Sequence, residues 1–165
     1  MTQKIKLMKT RPNGHIWMVA EQFYNAAELI WNCDDIDINR YSHPLIVNYA
    51  FSCELSLKAT EGSVKFPEPT PDGLIPVSNI ESSVRGHNLY NVFQKLKHET
   101  QEEIKNEFSS CSGEELVPLL IECSGYFEKA RYPFEQKAGS YSLTGVRDLA
   151  KGLLEAVMEF GKKRS

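Results

Sequence analysis

The sequence lacks the long apolar run and the strong charge imbalance that would assign it to a membrane or a nucleic-acid class. No apolar stretch approaches the roughly 18 residues that a membrane-spanning helix requires, and the mean hydropathy is -0.39. Its 19 Lys plus Arg stand against 22 Asp plus Glu, which gives a net charge of -3. A soluble protein is therefore expected, in which any binding of an anionic ligand depends on a local patch.

Cysteines are few and widely spaced. Cys33, Cys53, Cys111 and Cys123 form no C-x-x-C pair, and the zinc-protease pattern H-E-x-x-H is absent. No apolar segment of the length found in secretory signals follows the basic residues 1–11. We expect reduced thiols in a cytoplasmic protein, with no metal and no cofactor.

Two long segments have the periodicity of helices. With 165 residues, 41% of them hydrophobic, the chain has the proportions of a single domain over residues 1–165. Apolar residues recur at three- and four-residue steps over 14–31, which predicts an amphipathic helix. Residues 44–61 are apolar or small on almost every side of a helical wheel, as is typical of a helix enclosed by others.

Residues 62–80 interrupt the helical pattern. They hold four of the eight prolines and cannot continue a helix. The sequence therefore predicts a long proline-rich loop at 62–80. Two interpretations stay open, a functional flap or a surface excursion with a short hairpin.

The second half of the chain is also predicted to be helical. A short helix from about Asn88 precedes a small acidic helix that begins at a pattern similar to a capping box, residues 100–103. A core helix over 113–130 and a last helix over 144–162, with Thr144 as its cap, complete the set. The predicted fold is an all-α bundle of four to five main helices plus one or two short ones, with 44–61 and 113–130 supplying the core.

Two charged residues stand on the enclosed helix. Glu54 and Lys58 lie four residues apart, in the order that favours a helical ion pair. Toward the start of the helix, the same side carries the apolar residues Val47 and Phe51, which are expected in the core. If Glu54 and Lys58 continue this buried side, each charge requires a partner. The pair is either an ordinary solvated ion pair or part of a partly buried polar cluster.

Arg131 follows Phe127 by four residues on the inward face of its helix. Its guanidinium could bind a carboxylate such as Glu54 or Glu135 through two parallel hydrogen bonds. The alternative is an arginine that binds phosphate. Both interpretations place a polar group toward the core.

His87 lies at the start of the third predicted helix, away from its apolar stripe. This position favours local capping or exposure to solvent. A helix N-terminus disfavours the protonated imidazole, which would suit an acid-base residue, although the same placement is common without any chemistry.

Three segments together resemble the HEPN family of small all-α domains. They are CELSLKA at 53–59, GHNLYNVFQKL at 86–96, and Arg131 with Tyr132 followed by Glu135. The resemblance implies a helical bundle, usually dimeric, of the kind found in prokaryotic defence and toxin systems and beside nucleotidyltransferases. A homodimer and a protein partner such as a nucleotidyltransferase are therefore expected, with no membrane association.

The chain departs from the family's catalytic pattern. HEPN endoribonucleases typically carry Arg-x(4–6)-His, and no histidine follows Arg131. We therefore expect a non-catalytic binding domain for a protein partner or a nucleotide or RNA ligand, in a defence or regulatory module. The alternatives are a metal-independent endoribonuclease with Arg131 and His87 as a composite site, and a purely structural homodimer. The expected polar set is Glu54, Lys58, His87, Arg131, Tyr132 and Glu135.

Overall fold

A computed structural model describes residues 12–65, 79–135 and 140–164. Most of these residues are helical, and the prediction of an all-α bundle is confirmed. None of the helices in the described part combines the length and apolar character needed to cross a bilayer. In chain order the elements are α1 (Gly14–Trp31), α2 (Ser42–Ala59), β1 (Gly62–Lys65), β2 (Asn79–Ser82), α3 (Leu89–Gln94), α4 (His98–Ser112), α5 (Leu116–Glu122), α6 (Tyr126–Arg131), a 3-10 turn (Pro133–Glu135) and α7 (Leu143–Lys162).

Helix α2 lies at the centre of the bundle and packs against α1, α6 and α7. Ten of its 18 residues are buried, as its apolar wheel predicts. The second main contributor to the core is α7, which buries nine residues and also packs on α4. Residues 113–130, predicted to share this role, contribute six buried residues to the same core: Leu116, Leu120, Cys123, Tyr126, Phe127 and Ala130. That prediction is therefore confirmed, and only the part played by α7 was missed.

The single helix predicted over 113–130 is in fact broken. Helix α5 ends at Glu122 and α6 begins at Tyr126. The backbone N–H of Leu89, at the start of α3, donates to the carbonyl oxygen of Ser124 in the break at 3.0 Å. This carbonyl thus serves another element. The dipeptide Ser124-Gly125, which is typical of turns, lies in the break, although the apolar period continues across it.

Helix α4 is longer than its predicted acidic core. It spans 15 residues, and Thr100, expected as its cap, is buried within its first turn. The backbone N–H of Lys97 instead donates to Oε1 of Glu61 at 2.6 Å. A carboxylate 36 residues earlier therefore satisfies one of the free amides at this helix start.

Two other helix starts are capped locally. Asn88 accepts from the N–H of Asn91 at 3.0 Å, so α3 begins where the sequence predicts. Helix α7 is capped by Ser142, whose Oγ accepts from Gly145 N at 3.0 Å. Thr144, the expected cap, lies within the first turn instead.

The ends of the proline-rich segment pair with each other. Strands β1 and β2 are antiparallel, with Gly62 opposite Ser82 and Lys65 opposite Asn79. The rest of the predicted loop, residues 66–78, lies outside the described residues. Ser82 Oγ donates to the carbonyl oxygen of Lys58 at 3.3 Å, which ties the returning chain to the end of α2.

A polar brace joins α1, α2 and α7. Arg147 donates from Nε and Nη2 to the two carboxylate oxygens of Glu28 at 2.7 and 2.8 Å, and Tyr49 OH donates to Oε1 at 2.7 Å. These hydrogen bonds hold the pKa of Glu28 at about 2. The Arg147 guanidinium also lies 4.7 Å from the ring centroid of Trp31. This brace was not predicted from the sequence.

Candidate functional site

The site is built around a buried carboxylate. The Glu54 side chain is only 1% exposed, and Lys58 Nζ donates to its Oε1 at 2.6 Å. Lys58 itself is 17% exposed. A carboxylate taken out of water requires donors. Of the two interpretations left open by the sequence, the partly buried polar cluster is therefore the one observed.

His87 supplies the second contact to this carboxylate. Its Nδ1 lies 3.1 Å from Oε2 and 3.2 Å from Oε1 of Glu54. Because an ionised carboxylate can only accept, Nδ1 carries the hydrogen and donates it. In the neutral ring this leaves Nε2 as an acceptor. The His87 side chain is 44% exposed, so a ligand can approach the imidazole from solvent.

Short-range geometry directs His87 toward α2. Gly86 has φ of +120°, a region that a residue with a Cβ rarely adopts. Lys95 Nζ donates to the carbonyl oxygen of Arg85 at 2.8 Å, and Val84 is buried. With Asn88 starting α3, the segment 84–88 is therefore held on both sides of the histidine.

One aromatic ring links His87 to Arg131. The centroid of the Phe127 ring lies 5.3 Å from that of His87 and 4.8 Å from Cζ of Arg131. Phe51 of α2 stacks on the same ring with centroids 5.0 Å apart. The histidine and the arginine, 44 positions apart in sequence, are thus assembled around Phe127.

Arg131 does not form the expected pair with a carboxylate. Its side chain makes no ion pair within the described ranges, and its Cζ lies 4.6 Å from the ring centroid of Tyr132. Glu135, the other expected partner, is exposed on the 3-10 turn. The guanidinium therefore lies against two aromatic rings, Phe127 and Tyr132, while the residue remains exposed to solvent.

Exposed aromatic side chains extend the site beyond Arg131. Tyr132 is 39% exposed and Phe134 is 81% exposed. Their rings meet edge to face with centroids 6.4 Å apart. Tyr132 and Phe134 thus form a pair of exposed aromatic rings beside the guanidinium of Arg131.

An open cleft of about 360 Å³ lies beside the histidine. Lys58, Arg85 and His87 line it together with Ser82, Val84 and Gly86. Lys58 and His87 both contact the carboxylate of Glu54, whereas Arg85 makes no ion pair with any side chain that the structure describes. The cleft wall therefore carries two charged side chains and an imidazole, which suits an anionic ligand.

Five of the six predicted residues are joined by these contacts, directly or through Phe127: Glu54, Lys58, His87, Arg131 and Tyr132. The sixth, Glu135, donates its backbone N–H to the carbonyl oxygen of Tyr132 at 3.1 Å, while its side chain is exposed. Sequence reasoning missed the roles of Phe127, assigned only to the core, and of Arg85. Within the described residues no group of three or more His, Cys, Asp or Glu side chains could hold a metal ion.

No family model, curated protein or solved structure matches this chain. The resemblance to the HEPN family therefore stays a prediction. The site itself combines a carboxylate-bound imidazole, an arginine on aromatic rings and a cleft lined by Lys58 and Arg85.

Proposed function

We propose that this chain is a helical binding domain whose ligand carries phosphate groups, either a nucleotide or an RNA segment. The phosphate would be held by His87 and Arg131, with Arg85 and Lys58 at the cleft wall. The observation that carries the proposal is the convergence of His87 and Arg131 on the ring of Phe127.

The charge distribution supports an anionic ligand. The chain as a whole carries a net charge of -3, so the molecule does not attract polyanions in general. Lys58, Arg85 and His87 nevertheless line one cleft, and Arg131 shares the Phe127 ring with His87. Local concentration of cations on an acidic protein is the pattern expected of a specific anion site.

The aromatic side chains support a ligand that contains bases. Phe134, which is 81% exposed, and Tyr132 stand beside the guanidinium of Arg131. Aromatic faces next to arginine are the usual platform for stacking an unpaired base, worth about 1–3 kcal/mol per base. This arrangement favours a nucleotide or single-stranded RNA over inorganic phosphate.

The HEPN resemblance is consistent with the same ligand class. It adds two further proposals, a homodimer and a protein partner such as a nucleotidyltransferase, in a defence or regulatory module. The absence of Arg-x(4–6)-His from the sequence supports a domain that binds without cleaving.

A second candidate function is supported by the Glu54–His87 contact. A carboxylate that accepts from Nδ1 leaves Nε2 of the neutral ring able to accept a proton. If RNA bound at the cleft, this nitrogen would take the proton of the 2′-hydroxyl as its oxygen attacked phosphorus, and Arg131 would stabilise the phosphorane charge. The P–O5′ bond would then break to leave a 2′,3′-cyclic phosphate, and the imidazolium would return the proton to the 5′-oxygen. The alternative is therefore a metal-independent endoribonuclease with a composite site.

Binding is tested by fluorescence anisotropy with a labelled single-stranded RNA. We expect Arg131→Ala to weaken binding about tenfold, which is about 1.4 kcal/mol, and His87→Ala to weaken it by a smaller factor. Arg40→Ala is the matched control, because Arg40 is equally charged, exposed and remote from the cleft in sequence. Equal losses in Arg131→Ala and Arg40→Ala would show general attraction to polyanions and contradict the proposal.

Cleavage is tested with the same RNA in EDTA. The binding proposal predicts no cleavage above background by the purified chain. The endoribonuclease alternative predicts cleavage that is lost to a similar extent in His87→Ala and Arg131→Ala. When two groups act as one catalytic unit, removal of either one alone abolishes nearly all of the activity. Cleavage with that signature would replace the first proposal by the second.

A further inference from the structure

Two positive charges near His87 are not compensated by any carboxylate that the structure describes. Lys58 forms an ion pair with Glu54, so the charges of these two side chains offset each other. Arg85 and Arg131 form no ion pair within the described residues. A phosphodiester carries one negative charge, so a single one cannot compensate both arginines.

The two arginines lie at different positions relative to His87. Arg85 lines the cleft of about 360 Å³ together with Lys58 and His87, and Arg131 is not among the described residues that line it. Arg131 instead lies on the ring of Phe127, with 4.8 Å between its Cζ and the ring centroid. The centroid of the same ring lies 5.3 Å from that of His87. His87 therefore borders both the cleft and the surface around Arg131.

Hydrogen bonds hold the backbone that carries Arg85. Lys95, at the end of α3, donates from Nζ to the carbonyl oxygen of Arg85 at 2.8 Å. The backbone N–H of Val84 donates to Ser82 Oγ at 3.2 Å, and this hydroxyl donates to the carbonyl oxygen of Lys58 at 3.3 Å. Because the segment is attached to both α2 and α3 before a ligand binds, less conformational entropy is lost on binding.

The cleft is also larger than a contact between two charges requires. Its volume of about 360 Å³ falls within the range of about 300–1,000 Å³ that is typical of pockets for small molecules. Val84, which is buried, and Gly86 add uncharged lining beside Arg85. The cleft therefore has room for a phosphate together with the group attached to it.

We infer that the cleft binds a second phosphate of the ligand through Arg85 and Lys58, while His87 and Arg131 bind the first. This inference rests on the proposed function and specifies its ligand as one that presents two phosphates. A dinucleotide unit of a strand and a nucleoside diphosphate both have this chemistry. A nucleoside monophosphate would leave Arg85 without a partner.

Competition against the labelled single-stranded RNA tests the inference. The competitors are AMP with one phosphate, ADP with two adjacent phosphates, and the dinucleotide pApA with two phosphates separated by a nucleoside. We expect ADP or pApA to displace the RNA at a concentration at least tenfold lower than AMP does. The stronger of the two identifies the spacing of the phosphates.

Substitution of Arg85 assigns this difference to the cleft. We expect Arg85→Ala to remove most of the tenfold advantage of the two-phosphate competitor and to change displacement by AMP less than twofold. Arg85→Lys, which keeps the positive charge, should retain part of the advantage, and the exposed Arg40→Ala should retain all of it. Circular dichroism verifies that each variant is folded.

The salt dependence of RNA binding counts the contacted phosphates independently. For single strands the slope of log K against log salt concentration changes by about 0.7 for each phosphate contact. We therefore expect Arg85→Ala to reduce the slope for the labelled RNA by about 0.7 and Arg40→Ala to leave it unchanged.

The outcomes separate the second phosphate position from the proposed function. Displacement by neither ADP nor pApA better than by AMP, or an unchanged salt slope in Arg85→Ala, would overturn the second position alone, provided that the RNA itself binds and depends on Arg131. Failure of the labelled RNA to bind would overturn the proposed function and this inference together.

Discussion

Nδ1 of His87 lies 3.1 Å from Oε2 of Glu54, a carboxylate that is only 1% exposed. The contact joins the central helix α2 to a segment 33 residues later in the chain. Glu54 is thereby supplied with two donors, the imidazole and the Lys58 ammonium. The same contact fixes the orientation of the imidazole in the cleft, so the stability of α2 and the geometry of the proposed binding site depend on the same carboxylate.

A double-mutant cycle should find coupling between Glu54 and His87. We expect the effects of Glu54→Gln and His87→Ala on the free energy of unfolding to deviate from additivity by about 0.5–3 kcal/mol, as for groups in direct contact. Urea denaturation of the four proteins measures it. The matched cycle of Glu54→Gln with Arg131→Ala should be nearly additive, because Arg131 lies on aromatic rings instead. Strong coupling in that second cycle would contradict the geometry described.

Gly152 should tolerate no side chain. A Cβ added there would lie 2.4 Å from Cε2 of Phe108, whose ring is fully buried. We expect Gly152→Ala to lower the free energy of unfolding by about 1–3 kcal/mol through overpacking. Gly14→Ala is the control, since no atom lies within 4 Å of its added Cβ, and its effect should stay within about 0.5 kcal/mol.

A second substitution distinguishes overpacking from other effects of Gly152→Ala. Phe108→Leu removes the ring that the added Cβ would contact. In this background, Gly152→Ala should lower the free energy of unfolding by less than it does in the unchanged chain. If the losses of unfolding free energy from the two substitutions simply add, the contact between Phe108 of α4 and residue 152 of α7 does not cause the destabilisation by Gly152→Ala.

The brace around Glu28 should make stability depend on acid pH. Hydrogen bonds from Arg147 and Tyr49 lower the pKa of Glu28 from 4.5 to about 2. A lowered carboxyl pKa stabilises the fold above the unfolded value and loses this effect as the pH falls from about 4.5 through 2. Thermal unfolding at pH 6 and pH 3 should therefore show a smaller decrease in Glu28→Gln than in the unchanged chain. The exposed Glu128→Gln should retain the full decrease.

The four cysteines should separate into two classes of reactivity. Burial raises the pKa of Cys123 to about 12 and that of Cys53 well above its usual range. Cys111 is exposed and Cys33 is half-buried. With a disulfide reagent at pH 8 we expect Cys111 to react first and Cys53 and Cys123 to react only after unfolding. Cys111→Ser should remove the fastest phase; a rapid phase from a buried thiol would indicate local opening of α2 or α5.

Some helix boundaries can be predicted from neighbouring residues in the sequence, and others cannot. The Asn88 cap of α3 can be predicted from the sequence, because the acceptor Asn88 and the donor Asn91 are three residues apart. The start of α4 is not, since Glu61 reaches it from beyond the proline-rich segment. The break after Glu122 was missed because the apolar period continues across it, although Ser124-Gly125 is a local turn signal. The hydrogen bond that Leu89 donates to Ser124 in the break joins residues 35 positions apart, so local patterns do not predict it.

The candidate site likewise has a part that local sequence predicts and a part that only tertiary packing determines. The sequence determined that Glu54 and Lys58 share a face of an enclosed helix, because their spacing and the apolar wheel are local properties of α2. Only the tertiary structure decided that His87 completes the carboxylate's hydrogen bonds and that Arg131 lies on Phe127. Those partners depend on which side chains packing brings within a few ångströms, and a buried charge accepts whichever donor the fold places there.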